Sequence, residues 1–131
     1  MASGMLITAI SSGSGKTAAA CALMAAYQAQ NKKVSSCKCG PDYIDPMFHK
    51  EVLGVDSKNL DLFFSSEDEL RKEYAKHAAD AELVITEGVM GYYDGMRLDS
   101  VTASSYDVAR TLDIPAVLIL PCKGAALSLC A

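Results

Sequence analysis

The sequence predicts an α/β fold, a mostly parallel sheet with helices on both faces, on three observations. Short, largely apolar runs at residues 5–10, 82–86 and 116–120 alternate with helical segments, the pattern of strands buried on both sides. A Ser/Gly loop ending in Gly15-Lys16-Thr17 joins the first run to the first helical segment, and that is the context a phosphate-binding loop requires. The chain has 131 residues, 50% of them hydrophobic, enough for one core of common domain size and too few for two.

Each element has a local reason. Residues 1–4 carry no pattern and read as a disordered start. Residues 5–10 form the first strand. From Lys16 to about Gln30 the chain is helical, because Ala20, Leu23, Met24 and Tyr27 fall at i, i+3, i+4 and i+7 and make one apolar stripe; Asn31 then offers a stop. Residues 33–38 read as the second strand. Two prolines and a glycine in Gly40-Pro41-Asp42-Tyr43-Ile44-Asp45-Pro46 argue against a continuous helix there. Ser66 with Glu69 makes a capping box for a helix to about Ala79, with Leu70, Tyr74 and His77 on one side. His77 reads as a satisfied helix-face residue and not as a ligand. Residues 82–86 are the third strand, 104–112 a helix, and 116–120 the fourth strand. Residues 123–131 give at most about two helical turns, short of what an isolated helix sustains. The expected fold is therefore incomplete at its C-terminal end, with an apolar edge exposed and self-association favoured.

Composition excludes some partners. A net charge of −4 with scattered Lys and Arg provides no basic field for a nucleic-acid backbone. No apolar run approaches the roughly 20 residues that span a bilayer, and the N-terminus lacks a secretory leader pattern, so a cytoplasmic protein is expected. Cys21, Cys37, Cys39, Cys122 and Cys130 match neither paired C-x-x-C nor zinc spacing. Cys37 and Cys39 would share one face of a strand. That permits a weak metal or redox site, but packing of reduced thiols is the favoured reading.

Ser12, Gly13, Ser14, Gly15, Lys16 and Thr17 are the candidate nucleotide cradle. Glycines let successive backbone N–H groups turn toward one anion, and the helix N-terminus adds partial positive charge. Lys16 would reach the β- and γ-phosphates of ATP, and the Thr17 hydroxyl would hold Mg²⁺. The fold class is thereby of the P-loop NTPase type. One departure is that Ile10 stands where the motif usually begins with Gly. Residues 13–18 also satisfy the dinucleotide pattern G-x-G-x-x-A, but that pattern wants an acid at the end of the second strand, where the chain has Lys38.

Carboxylates stand where strands end. Asp42 and Asp45 lie in the loop after the second strand, Glu87 at the tip of the third, and Asp94 in Gly91-Tyr92-Tyr93-Asp94-Gly95. In an open α/β sheet the ligand crevice lies beyond the carboxyl ends of the strands, and an acid there is placed to hold Mg²⁺.

The run from Gly40 to Pro46 with His49, and Glu87-Gly88-Val89-Met90-Gly91-Tyr92-Tyr93-Asp94-Gly95, resemble the two signatures of the cobyrinic acid a,c-diamide synthases. With the phosphate loop and Asn59-Leu60-Asp61 the resemblance covers nearly the whole chain. It implies ATP-dependent phosphorylation of the a and c carboxylates of a corrin precursor of cobalamin, after which ammonia displaces phosphate to leave the amides. On the same resemblance Lys16 and Thr17 bind phosphate and Mg²⁺, Glu87 is a metal-side or phosphate-side acid, and Asp42, Asp45 and Asp94 orient substrate, metal or the attacking ammonia, with Asp45 the one of these three counted among the metal ligands beside Thr17 and Glu87. Tyr43 and Tyr93 either flank the tetrapyrrole or pack. Members of the family also carry a glutaminase domain with a Cys nucleophile and a His base. No such signature occurs here, so Cys122 and Cys130 are not read as nucleophiles, and residues 1–131 are expected to be a truncated N-terminal part of the synthetase domain. The nearest alternatives are cobyric acid synthase, dethiobiotin synthetase, the synthase that amidates a nickel tetrapyrrole, and a partition-type ATPase switch. The Pro-Asp-Tyr-Ile-Asp-Pro run argues against the first two and leaves the third open; Ser11 stands where the partition type usually has an extra Lys.

Overall fold

The computed structural model describes residues 2–40 and 44–130, with only the backbone described for Ile44, Asp45 and Cys130. The elements run β1 (Ser3–Ala9), α1 (Lys16–Ala29), β2 (Val34–Cys39), α2 (Ile44–Leu53), β3 (Ser57–Leu60), α3 (Glu67–Ala78), β4 (Leu83–Glu87), α4 (Ser105–Leu112) and β5 (Ala116–Ile119), followed by a 3₁₀ turn at Leu127–Cys130. The strands form one sheet in the order β3-β2-β4-β1-β5, and every pairing is parallel. The expected α/β architecture is thus present.

Alternation along the strands sorts side chains to two cores. Leu6, Cys37, Cys39 and Val84 face α3 and α4, where Leu70 and Val108 meet them. Ile7, Leu83 and Ile85 face the other way, onto Ala20 and Met24 of α1 and Val55 beyond α2. Helices therefore cover both faces, as a parallel sheet requires. The α1 stripe read from the sequence is the buried one, with Leu23 and Tyr27 packed beside Ala20 and Met24. Ser66 caps α3 through the full reciprocal box with Glu69, and the His77 imidazole is engaged with the Ser36 carbonyl at 2.9 Å.

Several boundaries differ from expectation. β1 begins at Ser3, so Ser3 and Gly4 are not a disordered start; Gly4 lies directly beneath the Tyr74 hydroxyl, where no side chain has room. Two elements were absent from the sequence reading. β3 reads Ser-Lys-Asn-Leu and buries only Leu60, so an edge strand of polar residues shows no apolar run. α2 starts inside the segment expected to be non-helical, with Pro46 in its first turn, where a missing N–H removes no intrahelical bond. The sheet consequently has five strands and not four, and residues 127–130 form a short 3₁₀ turn instead of two α-helical turns. Among the described residues no helix is long and apolar enough to cross a membrane.

The exposed apolar edge expected at the C-terminal end is present: β5 lies at the edge of the sheet, paired with β1 alone among the described strands, with Val117 46% and Leu118 47% exposed. An edge of this kind templates association. We expect the chain to self-associate as its concentration rises, and Leu118→Lys to shift it toward monomer in sedimentation velocity. A wild-type chain that remains monomeric on concentration would show that this edge drives no association.

Candidate active site at the phosphate loop

The turn between β1 and α1 is set by two glycines with left-handed backbone, Gly13 at φ +73° and Gly15 at φ +90°. A side chain at either would be strained. Gly15 is also the N-cap of α1, which has no side-chain cap and no acid in its first turn. The positive end of this helix therefore meets no acid of its own first turn. In front of them is a cleft of about 480 Å³ lined by Ser12, Gly13, Lys16, Thr17, Lys38 and Glu87 among others. A larger, mostly apolar cavity of about 760 Å³ opens near Gly4, Tyr74 and Leu112 at the opposite end of the sheet. It lacks the phosphate loop, which lines the smaller cleft.

Lys16 is buried beside the loop, and its ammonium donates to the carbonyls of Ser11 at 2.9 Å and Met90 at 2.8 Å. Burial, then the neighbouring Lys38 ammonium, lowers its pKa from the usual lysine value, against the pull of Glu87 and Asp94. Met90 itself has a left-handed backbone at φ +52°.

Glu87 is the centre of the site. It ends β4 at 1% exposure, and the sheet register sets it between Ile7 of β1 and Lys38 of β2. Aligned residues of a parallel sheet share a face, so Glu87, Lys38 and Ser36 all point toward α1 and α2. The Thr17 hydroxyl donates to Glu87 Oε1 at 2.5 Å, and Lys38 Nζ donates to the same oxygen at 3.0 Å and to the Gly88 carbonyl at 3.3 Å. On the other oxygen, His49 Nε2 stands 3.5 Å from Oε2. Burial pushes the Glu87 carboxyl up, but hydrogen bonds from His49 and Thr17 and the Lys38 ammonium outweigh it and hold it down at about 2.

Of the sequence candidates, Lys16, Thr17 and Glu87 converge on one cleft with the loop residues Ser12, Gly13 and Gly15. Ser14 turns aside, with its hydroxyl 3.1 Å from that of Ser11. Asp42 and Tyr43 lie outside the described residues, and Asp45 is placed only by its backbone in the first turn of α2. Asp94 lines an adjacent cleft with Thr8, Ile10 and Tyr93, and its carboxylate accepts from the Gly91 N–H at 3.0 Å. Tyr93 packs with Tyr92 and Tyr106. Cys37 and Cys39 are buried in the core and burial raises both thiols, Cys39 to about 12, as packing residues and not as a redox pair.

Sequence reasoning missed the roles of Lys38 and His49. The available signal was alternation: in Ser36-Cys37-Lys38-Cys39 the polar residues fall on one face and the thiols on the other. Thr17 and Glu87 fit a hard cation that takes few protein ligands and several phosphate oxygens. Among the described residues no group of three or more His, Cys, Asp or Glu side chains is placed to hold a metal ion.

Residues 5–118 match the family described as CobQ/CobB/MinD/ParA nucleotide binding domain. The chain is 42% identical over 127 residues to the cobyrinate a,c-diamide synthase of Synechococcus sp., which covers 97% of this chain and 28% of that protein. It is 38% identical over 120 residues to the protein of the same name from Thermoplasma acidophilum, covering 92% and 27%. Against the hydrogenobyrinate a,c-diamide synthase of Agrobacterium fabrum it is 40% identical over 121 residues, covering 92% and 28%. The chain thus spans under a third of the length of these relatives.

The folded-state value of Glu87 lies below that of a free glutamate, about 4.3, so its contribution to stability is present above that pH and is lost as the pH falls toward about 2. Denaturant melts of wild type and Glu87→Gln from neutral pH downward test this. We expect a wild-type loss of stability below about pH 4.5 that is smaller in Glu87→Gln; equal acid slopes would show that Glu87 is not held ionised.

Proposed function

The chain belongs to the CobQ/CobB/MinD/ParA nucleotide binding domain family, and from that premise we propose that it is the ATP-binding part of an enzyme amidating the a and c carboxylates of cobyrinic or hydrogenobyrinic acid. The observation that carries the proposal is the convergence of Lys16, Thr17 and Glu87 on one cleft in a chain about 40% identical to synthases of that name. Both names occur among the relatives, so the reading covers the corrin carboxylates with or without cobalt.

The reaction divides into two displacements. A substrate carboxylate oxygen attacks the γ-phosphorus of ATP as the bond to the ADP oxygen breaks, giving an acyl phosphate. Ammonia then adds to the acyl carbon, inorganic phosphate leaves, and the nitrogen sheds its extra proton to yield the amide. The protein's task in the first displacement is placement and charge neutralisation. The glycine turn and the α1 N-terminus receive the phosphates, and Lys16 exchanges a carbonyl for a phosphate oxygen. Thr17, Glu87 and Asp45 would hold Mg²⁺, which would supply charge neutralisation to the phosphates. The Thr17 hydroxyl donates its proton to Glu87 and so would keep a lone pair available. Asp42 and Asp94 orient the corrin carboxylate or the ammonia. On this reading residues 1–131 are the N-terminal part of the synthetase domain, and ammonia arrives from glutamine through a glutaminase domain outside them.

Two measurements test the reading. Calorimetry with Mg-ATP should show binding to wild type and its loss in Lys16→Ala; equal affinities would remove the phosphate-loop assignment. In the full enzyme carrying this sequence, Glu87→Gln and Asp45→Asn should each lower amidation by about 10² or more with the fold intact, as expected for loss of a charge-placing group. Activity within a few-fold of wild type in both would exclude these acids from the chemistry.

A further inference from the structure

We propose that His49 is a positioning residue that fixes the plane of the Glu87 carboxylate from behind the phosphate cleft and touches neither nucleotide nor substrate. The proposal rests on the reading of Glu87 as a metal-side acid. His49 belongs by sequence to the segment that begins with Asp42 and Asp45, and that position invites a substrate-side role. The fold directs it elsewhere. Its side chain has 0% exposure, sealed between α2, β2 and β3.

His49 Nε2 and Glu87 Oε2 face one another at 3.5 Å, the outer limit of a hydrogen bond, and neither has any other hydrogen-bond partner among the described residues. Leaving either unpaired away from water carries the full desolvation penalty, and among the described residues their mutual approach is the remedy. The tautomer follows from what the carboxylate can do. A carboxylate paired with the Lys38 ammonium can only accept, so Nε2 presents a proton to it, and in the neutral imidazole Nδ1 is then the acceptor. Ser36 Oγ lies 3.0 Å from Nδ1, with Ser57 Oγ at 3.5 Å. The Ser36 hydroxyl donates to His49, and His49 donates to Glu87.

The division of donors explains why this contact matters. Thr17 and Lys38 both bond to Oε1. Two donors on one oxygen pin that atom but leave the carboxylate free to rotate about it. A third donor on Oε2 sets the plane, and with it the direction of the one lone-pair site, on Oε2, that the three donors leave. In sites of this kind a residue that orients a metal-side group affects metal affinity by roughly ten-fold or more when removed.

The test measures the affinity for a non-hydrolysable ATP analogue, with and without Mg²⁺, of the full chain and of His49→Ala, His49→Gln, Glu87→Gln and the His49→Ala/Glu87→Gln double variant. His49→Ala should lose roughly ten-fold in the magnesium-dependent part and nothing in the magnesium-free part. His49→Gln, whose amide N–H can reach the carboxylate, should recover most of the loss. The double variant should bind no more weakly than Glu87→Gln alone, since a residue acting through another adds nothing once that other is gone. Losses that multiply, a magnesium-free affinity that falls as well, or a Gln variant as weak as Ala would overturn the proposal. If Glu87→Gln itself leaves magnesium-dependent affinity intact, the metal-side reading of Glu87 fails, and the role assigned to His49 falls with it. The contact itself is tested separately, and without any variant, by ¹⁵N imidazole spectra of the wild-type chain. The Nε2–H tautomer of His49 is expected; the Nδ1–H tautomer would overturn the proposal.

Discussion

A carboxylate taken almost wholly out of water costs several kcal/mol unless donors meet it, and Glu87 sets this requirement on the whole fold. Its partners come from three separate stretches of chain: Thr17 at the start of α1, Lys38 near the end of β2, and His49 in α2. The sheet order satisfies the requirement because β4 inserts between β1 and β2. Had β1 and β2 paired directly, Lys38 would lie beside the phosphate loop with no carboxylate between them, and two ammonium groups would face each other. The insertion of β4 sets an acid beside both the ammonium of Lys38 and the hydroxyl of Thr17.

The charged groups of the cleft are met by protein partners. Lys16 is occupied by carbonyls and Lys38 by Glu87 and a carbonyl, while the first turn of α1 carries no acid. On the function proposed above, the helix terminus and its glycine turn are the part that receives phosphates, and hydrogen bonds already in place are exchanged as they bind.

What was legible in the sequence was what depends on near neighbours. The α1 stripe, the Ser66/Glu69 box and the Gly-Lys-Thr turn are each set within a few residues, and all three are present. β3 was hidden because an edge strand buries a single residue, and α2 because Pro46 reads as a breaker unless the first turn is known to begin just before it. In the site, Glu87 could be placed from its position at the end of an apolar strand. Lys38 and His49 could not, since their roles arise from register and packing between elements up to 50 residues apart. A lysine in a strand and a histidine in a loop signature each have a commoner explanation, and only the paired geometry of their polar atoms removes it.

The alternation that turns Ser36 and Lys38 toward the site turns Cys37 and Cys39 into the opposite core, where burial keeps both as thiols. Only a thiolate attacks a disulfide reagent or an alkylating agent. Among the described cysteines, Cys122, on the surface, is therefore the first to be labelled, and the two strand cysteines react only when β2 is exposed to solvent. Their labelling rate is an internal clock for the opening of the central sheet. Because β2 also carries Lys38, a ligand that tightens the charged cluster on one face of the strand slows sulfur chemistry on the other, and occupancy of the cleft can be followed by mass spectrometry without any engineered probe.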